Sequence, residues 1–232
     1  MATLGTLTAA IESVVQDDSY GDLTARINDA VDHITGGIRM PDGTVSPPMP
    51  ELYTSDTVST TANAYADLPD NYQRKVFYVV DSSGDRVRPP SGGDYYSFMV
   101  FLNHCYKRDL TETGPVSKVC VRGKKLYYQG IPTAATDFTV MYYRASTAMV
   151  DTGDEPDGIP AHLQMKLIKH YVCKEIFGEG LEDGAEAHGT GYKYHTDRFY
   201  EAMIDLADFI GIDAEPEYYG SDEDACEECI GY

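Results

Sequence analysis

The 232 residues carry 18 Lys and Arg against 38 Asp and Glu, a formal net charge of −20. This excludes a protein whose main task is to grip nucleic-acid phosphates, because cationic side chains supply most of that affinity. The length admits one large domain or two small ones, and no signal-like leader or apolar run of about 18 residues appears, so a soluble chain made in the cytosol is expected.

In chain order, Ala9, Ala10, Ile11, Val14 and Val15 predict a first helix, broken at Asp17–Gly21. Asp22 caps a second, whose stripe is Leu23, Ile27, Ala30, Val31 and Ile34 with Arg26, Asn28, Asp29 and Asp32 outside it, ending at Gly36-Gly37. Residues 1–39 are thus a helical hairpin. The Pro-rich stretch MPDGTVSPPMP sustains neither regular structure and makes 40–53 a linker.

Period-two patterning then runs through 54–148, with strands expected at Thr57–Tyr65, Val76–Val80, Tyr95–Leu102, Lys118–Val121, Lys124–Gln129 and Phe138–Tyr143. Ser-Ser-Gly-Asp, Ser-Gly-Gly-Asp and Arg-Gly-Lys turns separate them, which predicts an antiparallel sandwich or barrel-like sheet. Val150 to Gly158 is acidic but lacks the terminal bidentate Glu of a calcium loop, and reads as a solvated linker. Ile159-Pro160 opens a helix carrying Leu163, Leu167, Ile168, Tyr171, Val172, Ile176 and Phe177, and another runs from Lys193 to Ile210. Residues 149–212 form a C-terminal helical pair packing with the first two helices. The fold class is therefore α+β, a helical bundle from both ends of the chain with an inserted antiparallel β domain. Residues 213–232 hold no Lys or Arg and form an acidic tail.

The search for chemistry ends without a catalytic, cofactor or metal site. His33 sits at a helix C-terminus, where a cation is favoured. His162 and His170, eight apart on one helix, lack the three- or four-residue spacing and third group of a metal site. His188 and His195, with Asp197, lie in a glycine-containing segment that reads as a loop with helix capping by Thr196 or Asp197. The five cysteines include a lone Cys226-Glu-Glu-Cys229 and are expected to be free thiols. No nucleotide-binding, zincin or hydrolase motif occurs. Basic residues cluster once, as Lys118, Arg122, Lys124 and Lys125 around a hairpin, and would meet either a phosphate or the acidic surface of a neighbouring copy, the second being favoured. Such a chain reads as a structural or assembly component rather than an enzyme.

The order of the parts carries a resemblance. SYGDLTARINDAVDHI, then YADLPDNYQRKVFYVVDSSGDRV, the hairpin KKLYYQGIPTAATDFTVMYYRAS and the helix entry DGIPAHLQMKLIKHYVCKEIFGEG resemble the head-to-tail adaptor (connector) proteins of tailed bacteriophages. In that family the early helix reads INxA, the middle Y-x-LPxDF, and the last strand YYR followed by an IP-initiated helix. Ile27-Asn28-Asp29-Ala30, Tyr65 to Tyr72, Val140 to Arg144 and Ile159 to Leu163 stand at those places. The likeness covers about Thr6 to Ile212. Two departures are local: Asn71-Tyr72 replaces Asp-Phe, and the segment between Val87 and Lys118 is longer than the family minimum.

The resemblance implies a structural virion protein at the head-tail junction, assembled in the host cytoplasm. It would form a homo-oligomeric ring of twelve copies beneath the portal protein, extend the channel through which double-stranded DNA passes without sequence-specific binding, and offer a platform to a tail or neck protein. Twelve copies at −20 carry about −240 formal charges, so only part of the acid can line a conduit and the rest must be screened or paired across subunits. The tail would fold on the portal or a neighbouring copy, with Tyr218, Tyr219, Ile230 and Tyr232 as anchors. Alternative readings are a neck protein one ring further down, or a non-catalytic carbohydrate- or metal-dependent binding module of a phage tail using the Gly-rich His188 to Asp197 loop or a Tyr-rich sheet face with the pairs Tyr95-Tyr96, Tyr127-Tyr128 and Tyr142-Tyr143.

Overall fold

The computed structural model describes residues 1–15, 20–40, 43, 45–46, 48–90, 95–104, 110–179 and 190–211. These fall into two compact units, one of residues 1–52 with the described residues from 145 onward, the other of residues 53–144. The architecture is α+β, with helices from both ends of the chain flanking a sheet region.

The helical unit holds α1 (Leu4–Glu12), α2 (Leu23–Gly36), α4 (Gln164–Gly178) and α5 (Tyr192–Gly211). Helix α1 opens on a reciprocal cap, the Thr3 amide donating to Thr6 Oγ1 at 2.8 Å and the Thr6 amide to Thr3 Oγ1 at 3.3 Å. Asp22 caps α2 through the Ala25 amide, and Gly37 follows its last turn, as the sequence predicts. Leu7, Ile11, Ile27, Val31 and Ile34 meet Leu167, Ile168, Ile176, Phe199, Met203 and Leu206 in one core, to which the 40–53 segment adds Met49 and Leu52.

Two expectations for this unit are corrected. The acidic loop is more than a solvated linker: the Leu4 amide donates to Asp154 O at 2.8 Å and the Gly5 amide to Thr152 O at 2.9 Å. The loop thereby satisfies two of the amides that a helix start leaves orphaned. It holds its own shape because Asp154 Oδ2 accepts the Val150 and Asp151 amides at 2.7 and 2.8 Å. Helix α4 begins at Gln164, and Pro160 sits in the turn before it, its carbonyl accepting the Leu163 amide at 2.9 Å. Buried Gln164 ties this entry to its surroundings. Its Oε1 accepts the Ala2 amide at 3.1 Å and its Nε2 donates to Pro156 O and Ile159 O at 3.2 and 3.0 Å, fixing the loop to the chain start.

The β unit contains two three-stranded antiparallel sheets. One has the order β1 (Tyr53–Ser59), β6 (Asp137–Arg144), β3 (Tyr72–Asp81); the other β2 (Tyr65–Asp67), β5 (Lys125–Tyr128), β4 (Val119–Arg122). Val58, Val76, Val79, Phe138, Val140 and Tyr142 of the first pack with Ala66, Val119, Val121, Leu126 and Tyr128 of the second, making a small sandwich. The stretch expected as one strand from Thr57 to Tyr65 is divided between the sheets. Tyr128 holds the corner, its hydroxyl accepting the Thr61 amide at 2.8 Å and donating to Asn63 O at 2.6 Å.

A third correction concerns Tyr95–Leu102, which forms a short helix, α3 (Phe98–His104), instead of a strand. Phe98 and Phe101, three apart, share a side, and buried Phe101 packs on Cys120 with Phe98 and Tyr127 beside it. Strand β3 is irregular where it meets β6, with register shifts between Tyr72 and Tyr78. Strand β1 is an edge of its sheet. The Thr60 amide donates to Thr136 O at 2.9 Å, so by alternation the Thr57 amide faces outward, where Asp56 Oδ1 accepts it at 2.7 Å.

Candidate assembly surfaces

The four basic residues singled out in the sequence come together on the β4–β5 hairpin. Arg122 pairs directly with Lys125 across the ladder and Lys124 lies in the turn. With Val119, Val121, Leu126 and Tyr128 turned into the sandwich, alternation puts Lys118, Arg122 and Lys125 on the outer face. There the cations flank the rings beneath α3. The Arg122 guanidinium stands 4.6 Å from the Phe98 ring centroid and Lys125 Nζ 3.7 Å from that of Tyr65. Arg122 and Lys124 are exposed, Lys118 and Lys125 half-buried. Asp67 is opposite Lys125, yet among the described residues none of the four cations forms an ion pair.

The helical unit presents the opposite charge. Asp29, Asp32, Glu175 and Glu179 line a groove of about 540 Å³ between α2 and α4, together with Arg26, His33 and Tyr171. Arg26 grips Glu179 with both terminal nitrogens, at 2.7 and 3.1 Å, and holds its carboxyl below the usual carboxylate range. Burial, reinforced by Glu175 and Asp29, pushes the Tyr171 hydroxyl up to about 12, and it stays a neutral partner of His33 Nδ1 at 2.9 Å. Along the exposed side of α5, Asp197, Glu201, Asp205 and Asp208 add further acid, of which Asp205 pairs with Lys166 and Glu201 with Arg198.

Several expected positions stand elsewhere. Tyr218, Tyr219, Ile230 and Tyr232 lie outside the described residues, as do Cys105, Cys226, Cys229 and His188. His162 precedes α4 and packs edge-on against Phe209 at 4.9 Å, so it does not share a helix with His170. Thr196 and Asp197 are inside α5, which starts at Tyr192, and neither caps it. Among the described residues no three His, Cys, Asp or Glu side chains gather as metal ligands, and no helix is long and apolar enough to cross a membrane.

Two contacts escaped sequence reasoning. Asn28 Nδ2 donates to Met149 O and its Oδ1 accepts the Met149 amide, both at 2.9 Å, which pins the chain leaving β6 to α2. The INxA spacing carried that signal without revealing the partner. The second is a histidine pair. His170 Nδ1 on α4 and His195 Nδ1 on α5 are 2.8 Å apart, with the Phe177 ring stacked on His195 at 5.4 Å.

One Nδ1 must donate and the other accept, so the pair holds at most one extra proton. Burial lowers both imidazoles, His195 to about 4, and Lys169 opposes a charge on either ring. A folded-state pKa below the unfolded value near 6.5 means that the unfolded chain binds more protons between those limits. Stability is therefore complete above about pH 6.5 and is lost on descent to about pH 4, at up to about 1.4 kcal/mol per pH unit for His195. In chemical denaturation followed by circular dichroism, His195→Phe retains the stacked ring and should flatten this part of the stability profile. An unchanged slope would assign the loss to carboxylates.

A family model described as SU10 adaptor protein matches residues 2–220. No curated protein sequence matches the chain.

Proposed function

Because the chain belongs to the SU10 adaptor protein family, we propose that it forms a homo-oligomeric ring of twelve copies under the phage portal, extends the DNA channel and gives the tail or neck protein its platform. The observation that carries this reading is the division of charge between the two units. The β unit offers the cations of Lys118, Arg122, Lys124 and Lys125 with no ion pair among the described residues, and the helical unit offers acid along α2, α4 and α5. Opposite signs on two parts of one chain are what a head-to-tail contact between identical copies, repeated around an axis, can use.

The hairpin is then an inter-subunit surface, and the acidic segment from 213, with Tyr218, Tyr219, Ile230 and Tyr232, contacts the portal or an adjacent copy. Remaining carboxylates repel DNA phosphates and let the duplex slide through unbound. The test is to mix the purified protein with a portal ring of the same virus and weigh the product by native mass spectrometry, with a chain ending at Ile212 alongside. A stoichiometric ring on the portal, weakened at least tenfold without the last twenty residues, is expected. No association at any salt concentration would overturn the adaptor ring.

A further inference from the structure

We propose that the β4–β5 hairpin is a receptor for an acidic, tyrosine-bearing peptide, and that its occupant is this chain's own segment 213–232. This deepens the assembly reading by naming the carboxylates that the hairpin meets.

The first argument is about which acid remains to be neutralised. On the helices, Glu179 is held by Arg26, Glu175 by Lys174, Asp205 by Lys166 and Glu201 by Arg198, which leaves Asp29, Asp32, Asp197 and Asp208 as separate single carboxylates without an ion pair among the described residues. Segment 213–232 holds eight Asp and Glu and not one Lys, Arg or His, so it has no internal counter-charge. Between 118 and 129 the hairpin is its inverse, with four cations and no carboxylate. Charge of one sign gathered on each partner favours encounter, and a continuous acidic segment can meet several of the hairpin's cations at once.

The second argument is about rings. Beside the hairpin cations, α3 leaves Met99 66% exposed and Phe98 half-buried under the Arg122 guanidinium. Apolar surface flanked by cations fits a peptide in which Tyr218 and Tyr219 are bracketed by Glu215 and Glu217 on one side and Asp222, Glu223 and Asp224 on the other. Reach does not restrict the match. Twenty residues extend to about 65–70 Å, several times the length of the hairpin they would follow.

The test uses the full chain. Zero-length carboxyl-to-amine coupling at low salt, mapped by mass spectrometry, should join carboxylates of 213–228 to Lys118, Lys124 and Lys125. Yields should fall at least fivefold in 0.5 M salt and in the doubly substituted Arg122→Glu, Lys124→Glu protein. Mixing light and heavy isotope-labelled protein separates contacts within a chain from contacts between copies, and either supports the proposal. In parallel, backbone amide signals of Gly220 and Gly231 should narrow in the substituted protein as the segment is released. Both substitutions are at exposed positions, and an unchanged thermal unfolding curve checks that the fold persists. Coupling to Lys166 and Lys169 at equal yield, no coupling to the hairpin, or amide linewidths indifferent to the substitutions would overturn it. Hairpin coupling in a protein that forms no ring on the portal would leave this inference standing while the adaptor ring fails; a ring without hairpin coupling would do the reverse.

Discussion

Replacing Gly130 by Ala should destabilise the β unit by about 3 kcal/mol or more, the sum of a left-handed backbone imposed on a non-glycine residue and an overpacked contact. Gly130 has φ +84, and a Cβ there would stand 2.5 Å from Pro115 O and 3.0 Å from Gly114 O. Neither carbonyl can retreat. The Gly114 amide is bonded to Ile131 O and the Ile131 amide to Glu112 O, while the Gln129 amide donates to Lys118 O, so the two passing segments are laced together on both sides of the obstruction. A loss of this size is a large fraction of the 5–15 kcal/mol that holds an ordinary domain folded. Gly84, with φ +88 and nothing near its missing Cβ, is the control. Its Ala variant bears the backbone strain alone, about 1 kcal/mol. Urea unfolding of the three proteins, read by circular dichroism since the chain has no Trp, should rank them wild type, Gly84→Ala, Gly130→Ala. Equal midpoints for the two variants would show that the 112–118 segment yields.

Asn28→Ala should cost the helical unit about 3 kcal/mol. The amide side chain makes a donor and an acceptor contact with one backbone unit, and Met149 is only 2% exposed. Truncation leaves a part-buried N–H and C=O without their partner, and each such group costs about 1–3 kcal/mol when water cannot reach it. Asn28→Asp separates the two halves of the interaction. It keeps an oxygen to accept the Met149 amide but has no hydrogen for Met149 O and sets a carboxylate oxygen against it, so it should unfold at least as readily as the Ala variant above pH 6. Thermal unfolding of both variants checks the order. An Ala variant within 0.5 kcal/mol of wild type would mean that water replaces the side chain without loss.

Where side-chain spacing alone decides the structure, the sequence was enough. The stripe from Leu23 to Ile34 with Asp22 before it and Gly37 after it contains its own start, face and stop, and it folds as read. Strand β5 alternates cleanly and β6 does so from Asp137 to Tyr142, whereas β4 is buried at Val119, Cys120 and Val121 alike, because Phe101 of α3 covers Cys120 on its other face. Phe98 and Phe101 failed because a seven-residue helix and a strand both accommodate Tyr, Phe, Met and Val, and the choice was made by Cys120 and Tyr127, which lie more than 18 residues away. Pro160 opens a turn closed by the Leu163 amide on its carbonyl, and the helix follows only from Gln164, a distinction of a few residues that proline's preference for a first turn does not make. The basic hairpin was legible because all four residues fall within eight positions of one turn. His170 and His195 were not, because they meet across two helices whose facing sides no local pattern fixes. The tail anchors Tyr218, Tyr219, Ile230 and Tyr232 lie outside the described residues, and the composition of their segment is what speaks for them.

The outward amide of Thr57 has a bearing on how identical copies come together. An open strand edge is a template on which a second chain can add by backbone pairing, with little regard to which side chains it carries. Crowding many copies at one place would favour such growth into fibres. Asp56 works as a gatekeeper against it: its carboxylate occupies the amide that an incoming strand would use and sets a negative charge beside the growing end. Polymerisation through main-chain bonds is thereby discouraged, and the choice of neighbour is left to complementary side chains.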